Sequence, residues 1–187
     1  RRGPKFKDTD LTKANLTGAY CHISDFSGAK LTGCLFHKSY LVRANLSYAD
    51  LRSNILTSAT ASNADFSHSD LRQSDLTGAM LDFANLSDTA LAEASLKSAN
   101  LKGANLDNAQ VEGVRYDRKG IYRGSKVATC YGSSRFRRFA QDQDFIEAFS
   151  NVVMKQGDTI NMVAKYVEYS GKTQLAFASG NVVLTEP

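Results

Sequence analysis

A five-residue repeat runs through more than half of the 187-residue chain. From residue 10 to residue 114 the sequence divides into 21 consecutive pentads without an insertion or a deletion. The second residue of the pentad is Leu in fifteen units and Phe in three. The remaining three units carry Cys21, Ala61 and Val111 there, and the fifth residue is nearly always Ala or Ser. An unbroken period of this kind must be explained before any local structure is assigned.

A period of five residues matches neither an α-helix, with 3.6 residues per turn, nor a simple strand, with a period of two. It matches a coil in which each pentad forms one side and turns a corner. The large apolar residue and the small residue two before it then point inward, and the other three face water. One pentad cannot bury its apolar residue alone, so coils are expected to stack through main-chain hydrogen bonds.

The triplet Ala-Asn-Leu occurs at residues 14–16, 44–46, 84–86, 99–101 and 104–106. This pattern resembles the consensus of the pentapeptide-repeat family. The resemblance implies an all-β fold: a right-handed, four-sided parallel β-helix, or solenoid, over residues 4–119 with four pentads in each coil. Residues twenty apart should then stack, which gives roughly five coils.

The side chains that could carry chemistry do not form a catalytic or metal-binding pattern. The histidines (His22, His37 and His68) are predicted to face water in different columns, and the cysteines Cys21 and Cys34 to point inward as small hydrophobic residues. Cys130 lies outside the repeat, with no histidine nearby in the sequence to activate its thiol. The sequence also lacks a glycine-rich phosphate loop. It therefore predicts a non-enzymatic protein with no cofactor and no metal.

Charge is distributed unevenly along the chain. Residues 8–112 carry 12 acidic and 8 basic side chains, whereas residues 113–187 carry 7 acidic and 11 basic ones. The family resemblance implies an alternative function, because some members mimic DNA and bind or protect a type II topoisomerase. Such mimicry requires a strongly acidic surface, so this alternative depends on a continuous acidic stripe. Direct binding of nucleic acid is not expected.

The outward apolar residues are predicted to gather on two neighbouring sides of the coil. This candidate interaction face, called the apolar face below, consists of Tyr20, Ile23, Leu35, Tyr40, Val42, Ile55, Met80 and Phe83. Apolar patches on a surface commonly mark interaction sites. The sequence therefore predicts a rigid scaffold that binds a protein partner or forms a homo-oligomer. The alternative is that a later part of the chain folds back over this face.

The pentads stop after Lys119, and residues 120–150 are predicted to form a connector followed by a helix near 135–149. Three aromatic and aliphatic residues of this segment, Phe139, Ile146 and Phe149, would share one helical face. A solenoid end exposes an apolar core and unpaired strand edges, so the helix is expected to cap it.

Residues 151–187 are predicted to form a small hairpin-like β-segment, with turns at Gly157-Asp158, Ser170-Gly171 and Gly180-Asn181. The stretch 157–187 resembles one repeat of the OstA-type β-proteins of lipopolysaccharide transport. This resemblance implies a third function, envelope β-assembly, and a periplasmic location; a fused segment is the alternative. Inward free cysteines favour the cytoplasm instead. No stretch reaches the roughly 18 apolar residues of a membrane span, so membrane binding by this segment itself is not expected.

Overall fold

The computed structural model describes residues 3–117, 119–120, 125 and 130, and the main chain of four strands between residues 148 and 185. The chain separates into two compact units, Arg1–Gln143 and Asp144–Pro187. The first contains the pentads and the second contains the four strands.

The first unit is a parallel β-helix with four pentads in each coil. The residue before each large apolar residue forms a parallel bridge with the residue twenty positions later, from Lys5 with Asp25 to Ser95 with Arg115. We call the large apolar residue of a pentad its centre and the residue before it the bridging residue. The two residues after the centre are its first and second corner residues. The four-sided coil expected from the sequence is thereby confirmed.

Main-chain hydrogen bonds connect each coil to both of its neighbours. The N–H of the centre Leu11 donates to the carbonyl oxygen of Lys30 in the next coil at 2.8 Å. The N–H of the bridging Lys30 donates back to Thr9 in the preceding coil at 2.9 Å. Every second corner residue between residues 8 and 113 has a left-handed backbone, with φ between 53° and 68°. This conformation turns the chain from one side to the next.

The core of the unit is a stack of centres lined by small residues. From Phe26 to Val111 the centres are fully buried, as are most of the small residues two before them. The ring of Phe26 stacks on Phe6 with centroids 4.8 Å apart and meets Phe36 edge-on at 6.0 Å. Asn54 also points inward, and neither of its side-chain polar atoms has a hydrogen-bond partner.

Residues after the last pentad cover the C-terminal end of this core. Cys130 is buried with the core residues, and its thiol donates to the carbonyl oxygen of Leu106 at an Sγ···O distance of 3.0 Å. Gly120 and Ser125 are buried as well. The segment expected to be only a connector therefore supplies residues to the core, because the last coil leaves an apolar surface that must be covered.

The described residues of the second unit form a four-stranded antiparallel sheet. Its strands are β1 (Ala148–Gln156), β2 (Ile160–Ser170), β3 (Leu175–Ser179) and β4 (Val183–Thr185). Strand β2 is central: β1 pairs along one edge, while β3 and β4 pair with successive parts of the other edge. The predicted strands are therefore present as an antiparallel sheet that extends beyond a single hairpin.

Most of the predicted capping helix, residues 135–147, lies outside the described residues. Its last two residues, Ala148 and Phe149, belong to β1, so the prediction is wrong for them. Pairing along β2 accounts for this difference, because Ala148 and Phe149 pair with Val167 and Tyr166. No helix among the described residues is long and apolar enough to cross a membrane.

Candidate interaction surface

The structure places six of the eight residues of the apolar face on the exposed surface of the β-helix. Tyr20 is the most exposed, at 74%, followed by Phe83 at 56% and Ile23 at 51%. The others are Tyr40, Ile55 and Met80. The remaining two, Leu35 and Val42, are half-buried.

Two bridging residues form the aromatic part of this face. The rings of Tyr20 and Tyr40 stack with centroids 4.7 Å apart and an angle of 1° between their planes. His22 lies beside both rings at a tilt, 6.3 Å from Tyr20 and 6.0 Å from Tyr40. Thr60 pairs with both Tyr40 and Met80 in the same column. The apolar face is therefore divided into an aromatic cluster near the N-terminal end and a second cluster further along.

The second cluster is formed by Met80 and Phe83 on the same side of the coil. The Phe83 ring lies over Gly103 of the next coil, where an added Cβ atom would be only 2.6 Å from a ring carbon. The absence of a side chain at Gly103 therefore leaves the space that the Phe83 ring occupies.

Ile23 and Phe83 occupy second corner positions, where the backbone is left-handed; both have φ of 57°. This region is unfavourable for side chains with a Cβ atom and is an outlier for a β-branched residue such as Ile. Apart from Tyr48, the other second corner residues are glycine or polar. Both large apolar corner residues thus lie on one side of the β-helix, at positions where a left-handed backbone disfavours them.

Leu35 and Ile55 lie on the neighbouring side and form a bridge with each other. The first corner residue that follows Leu35 is His37, whose Nδ1 lies 2.6 Å from Oγ1 of Thr57. His37 lies between Leu35 and Tyr40 in the sequence, and Thr57 lies two residues after Ile55 in the next coil. The two sides of the apolar face are thus separated along the chain by a polar corner.

One large exposed residue was missed by the sequence analysis. Tyr48 is 67% exposed and stacks on His68, with ring centroids 4.7 Å apart. Nε2 of His68 lies 4.0 Å from a carboxylate oxygen of Asp88, which follows it in the same column of second corner residues. The signal was present, because Tyr48 stands two residues after the centre Leu46, as Phe83 stands two after Leu81.

The acidic residues do not form a continuous stripe on the described part of the β-helix. In one column of bridging residues the aspartates alternate with asparagines. The side-chain amide of Asn45 donates to Asp25 at 3.4 Å, and that of Asn85 donates to Asp65 at 3.1 Å. Negative charge therefore occurs only at every second level of this column between Asp25 and Asn85.

In the next column, arginines compensate the carboxylates. Arg52 donates two hydrogen bonds to Asp50, at 2.8 and 2.6 Å, and Arg72 binds Asp70 in the same way at 2.9 and 2.6 Å. The hydrogen bond from Arg52 lowers the pKa of Asp50 to about 2. The condition set above for DNA mimicry, a continuous acidic stripe, is thus not met among the described residues.

The cysteines and histidines do not assemble a reactive centre. Burial raises the pKa of the Cys21 and Cys34 thiols, and the Cys34 thiol donates to the carbonyl oxygen of Leu11 at an Sγ···O distance of 2.8 Å. His22 and His68 are exposed, whereas His37 is half-buried. Within the described part of the chain, no three His, Cys, Asp or Glu residues lie close enough to hold a metal ion.

Residues 2–33, 24–57 and 55–91 match a family model described as pentapeptide repeats (8 copies). Over these residues the chain is similar to the pentapeptide-repeat family. The parallel coils of four pentads described above are consistent with this similarity. Residues 96–187 match a second family model, described as OstA-like protein. This match begins within the last pentads of the β-helix and includes all four strands of the second unit.

Solved pentapeptide-repeat structures resemble the chain at low identity. A protein from the thylakoid lumen of Arabidopsis thaliana is 23% identical, with a TM-score of 0.39 over 60% of this chain and 72% of that one. QnrB1, a plasmid-mediated fluoroquinolone resistance protein, is 21% identical, with a TM-score of 0.38 over 70% of this chain and 78% of that one. A protein from Nostoc PCC 7120 is 25% identical, with a TM-score of 0.32 over 58% and 84%. No curated protein sequence matches the chain.

Proposed function

We propose that the pentapeptide β-helix is a non-enzymatic scaffold that binds a protein partner through the apolar face. The observation that carries this proposal is the position of Ile23 and Phe83. Each is a large apolar side chain, more than half exposed, on a left-handed backbone. The binding of a partner would explain why such residues are present on the surface.

The energetic argument compares these two residues with the residues that usually occupy the corner. A left-handed backbone costs an L-residue roughly 1–2 kcal/mol, whereas glycine adopts it readily. A buried side chain can offset this cost by packing in the core, but Ile23 and Phe83 are exposed. Binding a partner would bury them together with the Tyr20–Tyr40 stack. Tyr, Phe and Met are enriched in the cores of protein interfaces.

The test replaces both corner residues by glycine in the variant Ile23→Gly/Phe83→Gly. Removing the strained side chains is expected to raise the urea midpoint, because glycine fits the left-handed backbone. The same variant should retain much less partner when the immobilised protein is used for affinity capture. Asn63→Gly is the matched control, since Asn63 lies in the same column with φ of 58° but is polar. It should raise stability slightly and leave capture unchanged.

A second variant, Tyr40→Lys/Met80→Glu, tests the bridging residues of the face. It should melt near the parent temperature by circular dichroism and capture less partner, because both side chains are exposed. Much earlier melting with unchanged capture would show instead that the face is covered within the chain. The proposal would then be wrong.

We propose a second role for residues 148–185, as a unit of an envelope β-assembly. The match of residues 96–187 to the OstA-like model and the antiparallel sheet favour this role. The test is the location of the full-length gene product in fractionated cells. Recovery in the periplasmic fraction is expected, and recovery in the cytoplasmic fraction alone would contradict the role.

A further inference from the structure

Two apolar pairs lie on one side of the β-helix, three coils apart. Each pair consists of a bridging residue and the second corner residue of the same pentad, Tyr20 with Ile23 and Met80 with Phe83. The exposed fractions of these side chains run from 46% at Met80 to 74% at Tyr20. We number the levels of this side one to four by their bridging residues, which pair in the order Tyr20, Tyr40, Thr60 and Met80.

The two levels between these pairs are polar at their second corners, where Arg43 and Asn63 are exposed. Along the four levels, the second corner residues are therefore apolar, polar, polar and apolar. This order is the same in both directions. A surface that contacts a second copy of itself through a two-fold axis needs such self-complementarity.

We propose that this side of the apolar face binds the same side of a second copy of the chain, related by a two-fold axis that runs along the strands between levels two and three. The proposal rests on the scaffold function proposed above and identifies the partner as a protein of the same sequence. The axis lies in the plane of the contact, so each column faces itself while the order of the levels is reversed. Level one of each copy then faces level four of the other, and this contact is made twice.

The apolar side chains that meet in this arrangement are chemically matched. Ile23 meets Phe83, so the two large corner residues with a left-handed backbone are buried against each other. Tyr20 meets Met80, and a thioether beside an aromatic ring is a favourable contact. The dimer thereby removes from water both of the apolar pairs that one copy exposes.

A polar contact lies beside the apolar ones. The first corner residues of levels one and four are His22 and Asp82, which face each other across the axis. Oδ1 of Asp82 accepts the hydroxyl of Ser62 at 2.7 Å within one chain, and a carboxylate can accept further donors. A ring N–H of the exposed His22 can therefore donate to Asp82 of the second copy.

Other two-fold axes match this side less well. An axis through level three would place Phe83 opposite the charged Arg43. An axis parallel to the β-helix would place the column of bridging residues opposite the column of first corner residues, so Met80 would meet Asp82. Of these three axes, the one between levels two and three alone brings the two apolar pairs together.

The test is sedimentation over a range of protein concentrations. Levels one to four span about 14 Å of the β-helix at about 4.8 Å per coil, so the contact is small and the dimer should be weak. Ile23→Lys and Phe83→Glu each place a charge against an apolar side chain twice in the dimer, and each should weaken association roughly tenfold. Lys13 and Glu93 already occupy second corners, with φ of 60° and 61°, so both variants should fold. Melting followed by circular dichroism checks this.

An equimolar mixture of the two variants should restore association. In the mixed dimer, one contact pairs the introduced lysine with the introduced glutamate, and the other pairs the original Ile23 with the original Phe83. Tyr48→Lys is the matched control, because Tyr48 is also a large, exposed second corner residue but lies on another side of the β-helix. This variant should sediment like the parent protein.

Three results would overturn the proposal: a parent that is monomeric at every concentration, single variants that associate as well as the parent, or a mixture that stays dissociated. The scaffold function has its own readout, which is affinity capture by Ile23→Gly/Phe83→Gly. If the parent is monomeric but captures a protein of different sequence that this variant does not retain, the dimer is wrong and the scaffold function stands.

Discussion

The two ends of the β-helix are built from similar pentads but finish differently. At the C-terminal end, Leu101 and Leu106 are fully buried, and chain that follows the repeat contacts the last coil. At the N-terminal end, Leu11 and Leu16 are only half-buried. A pentad therefore specifies one side of a coil, but it does not specify which residues cover the core at the end of the β-helix. Covering an end requires residues that break the repeat.

The C-terminal end shows how such residues substitute for a further coil. Elsewhere, the N–H of a second corner residue donates to a carbonyl oxygen nineteen residues later, as from Gly78 to Lys97 at 2.8 Å. At the last level, the N–H of Ser98 donates to the side-chain carboxylate of Asp117 at 2.8 Å instead. Asp117 thus replaces the missing main-chain acceptor, and no described residue does the same for the first coil.

The largest expected effect is on the free energy of unfolding, when a core leucine near either end is truncated to alanine. Leu106→Ala should lower the free energy of unfolding by about 2–5 kcal/mol, the range for a fully buried leucine. Leu81→Ala in a middle coil should cost as much. Leu11→Ala should cost about 1–2 kcal/mol, because part of this side chain is already exposed. Urea midpoints of the three variants, measured at low protein concentration, test this order.

The comparison between Leu11→Ala and Leu106→Ala has a clear contrary outcome. Equal costs in the free energy of unfolding for these two variants would show that Leu11 is covered as fully as Leu106.

Much of the β-helix could be predicted from the sequence, because every coil needs the same inward large and small residues at the same five-residue spacing. Large residues at the centres and small residues two before them identify the core without any structure. Outward positions follow by elimination, which placed Tyr20, Tyr40 and Met80 correctly on the surface. The half-burial of Leu35 and Val42 was not predictable in this way, since it depends on how neighbouring side chains lie across a coil.

A cap at the C-terminal end was expected, but the residues that cover this end were not predictable, because their contacts are out of phase with the repeat. Cys34, a small inward residue, bonds to the carbonyl of Leu11 twenty-three residues earlier. Cys130 makes the equivalent bond to Leu106, twenty-four residues earlier. Because the spacing from Leu106 to Cys130 is one residue longer than that from Leu11 to Cys34, Cys130 does not follow the five-residue period. From the sequence it was therefore assigned to a connector. Only the three-dimensional path of the chain reveals that it is buried.

A smaller effect is expected from the carboxylate that closes the C-terminal end. Hydrogen bonds, chiefly from the N–H of Ser98, hold the pKa of Asp117 below its usual value. A carboxyl with a lowered pKa in the folded state stabilises it above the unfolded value of about 3.9, and this contribution is lost as the pH falls further. Asp117→Ala should therefore lower the urea midpoint at pH 7 and differ little from the parent near pH 2.

Hydrogen exchange provides the comparison with the other end. Asp117→Ala should speed exchange of the Ser98 amide, whereas Asp117→Asn keeps a side-chain oxygen acceptor and should protect it. Asp10 also has a lowered pKa, but its carboxylate bonds only within its own pentad, to the N–H and hydroxyl of Thr12. Asp10→Ala should therefore alter exchange at Thr12 alone. Equal loss of protection across both terminal coils would contradict this difference.

The smallest effect is expected where the two ends should be indistinguishable. Lys7 and Lys97 occupy the first corner position in coils near opposite ends, and both are exposed. Replacing either by alanine removes no core contact, so each change should alter the free energy of unfolding by no more than about 0.5 kcal/mol. The ends differ in how the core and main chain are covered, which an outward corner residue does not affect. A loss above about 1 kcal/mol at Lys97 alone, measured by urea unfolding, would mean that the covering chain also contacts the sides of the last coil.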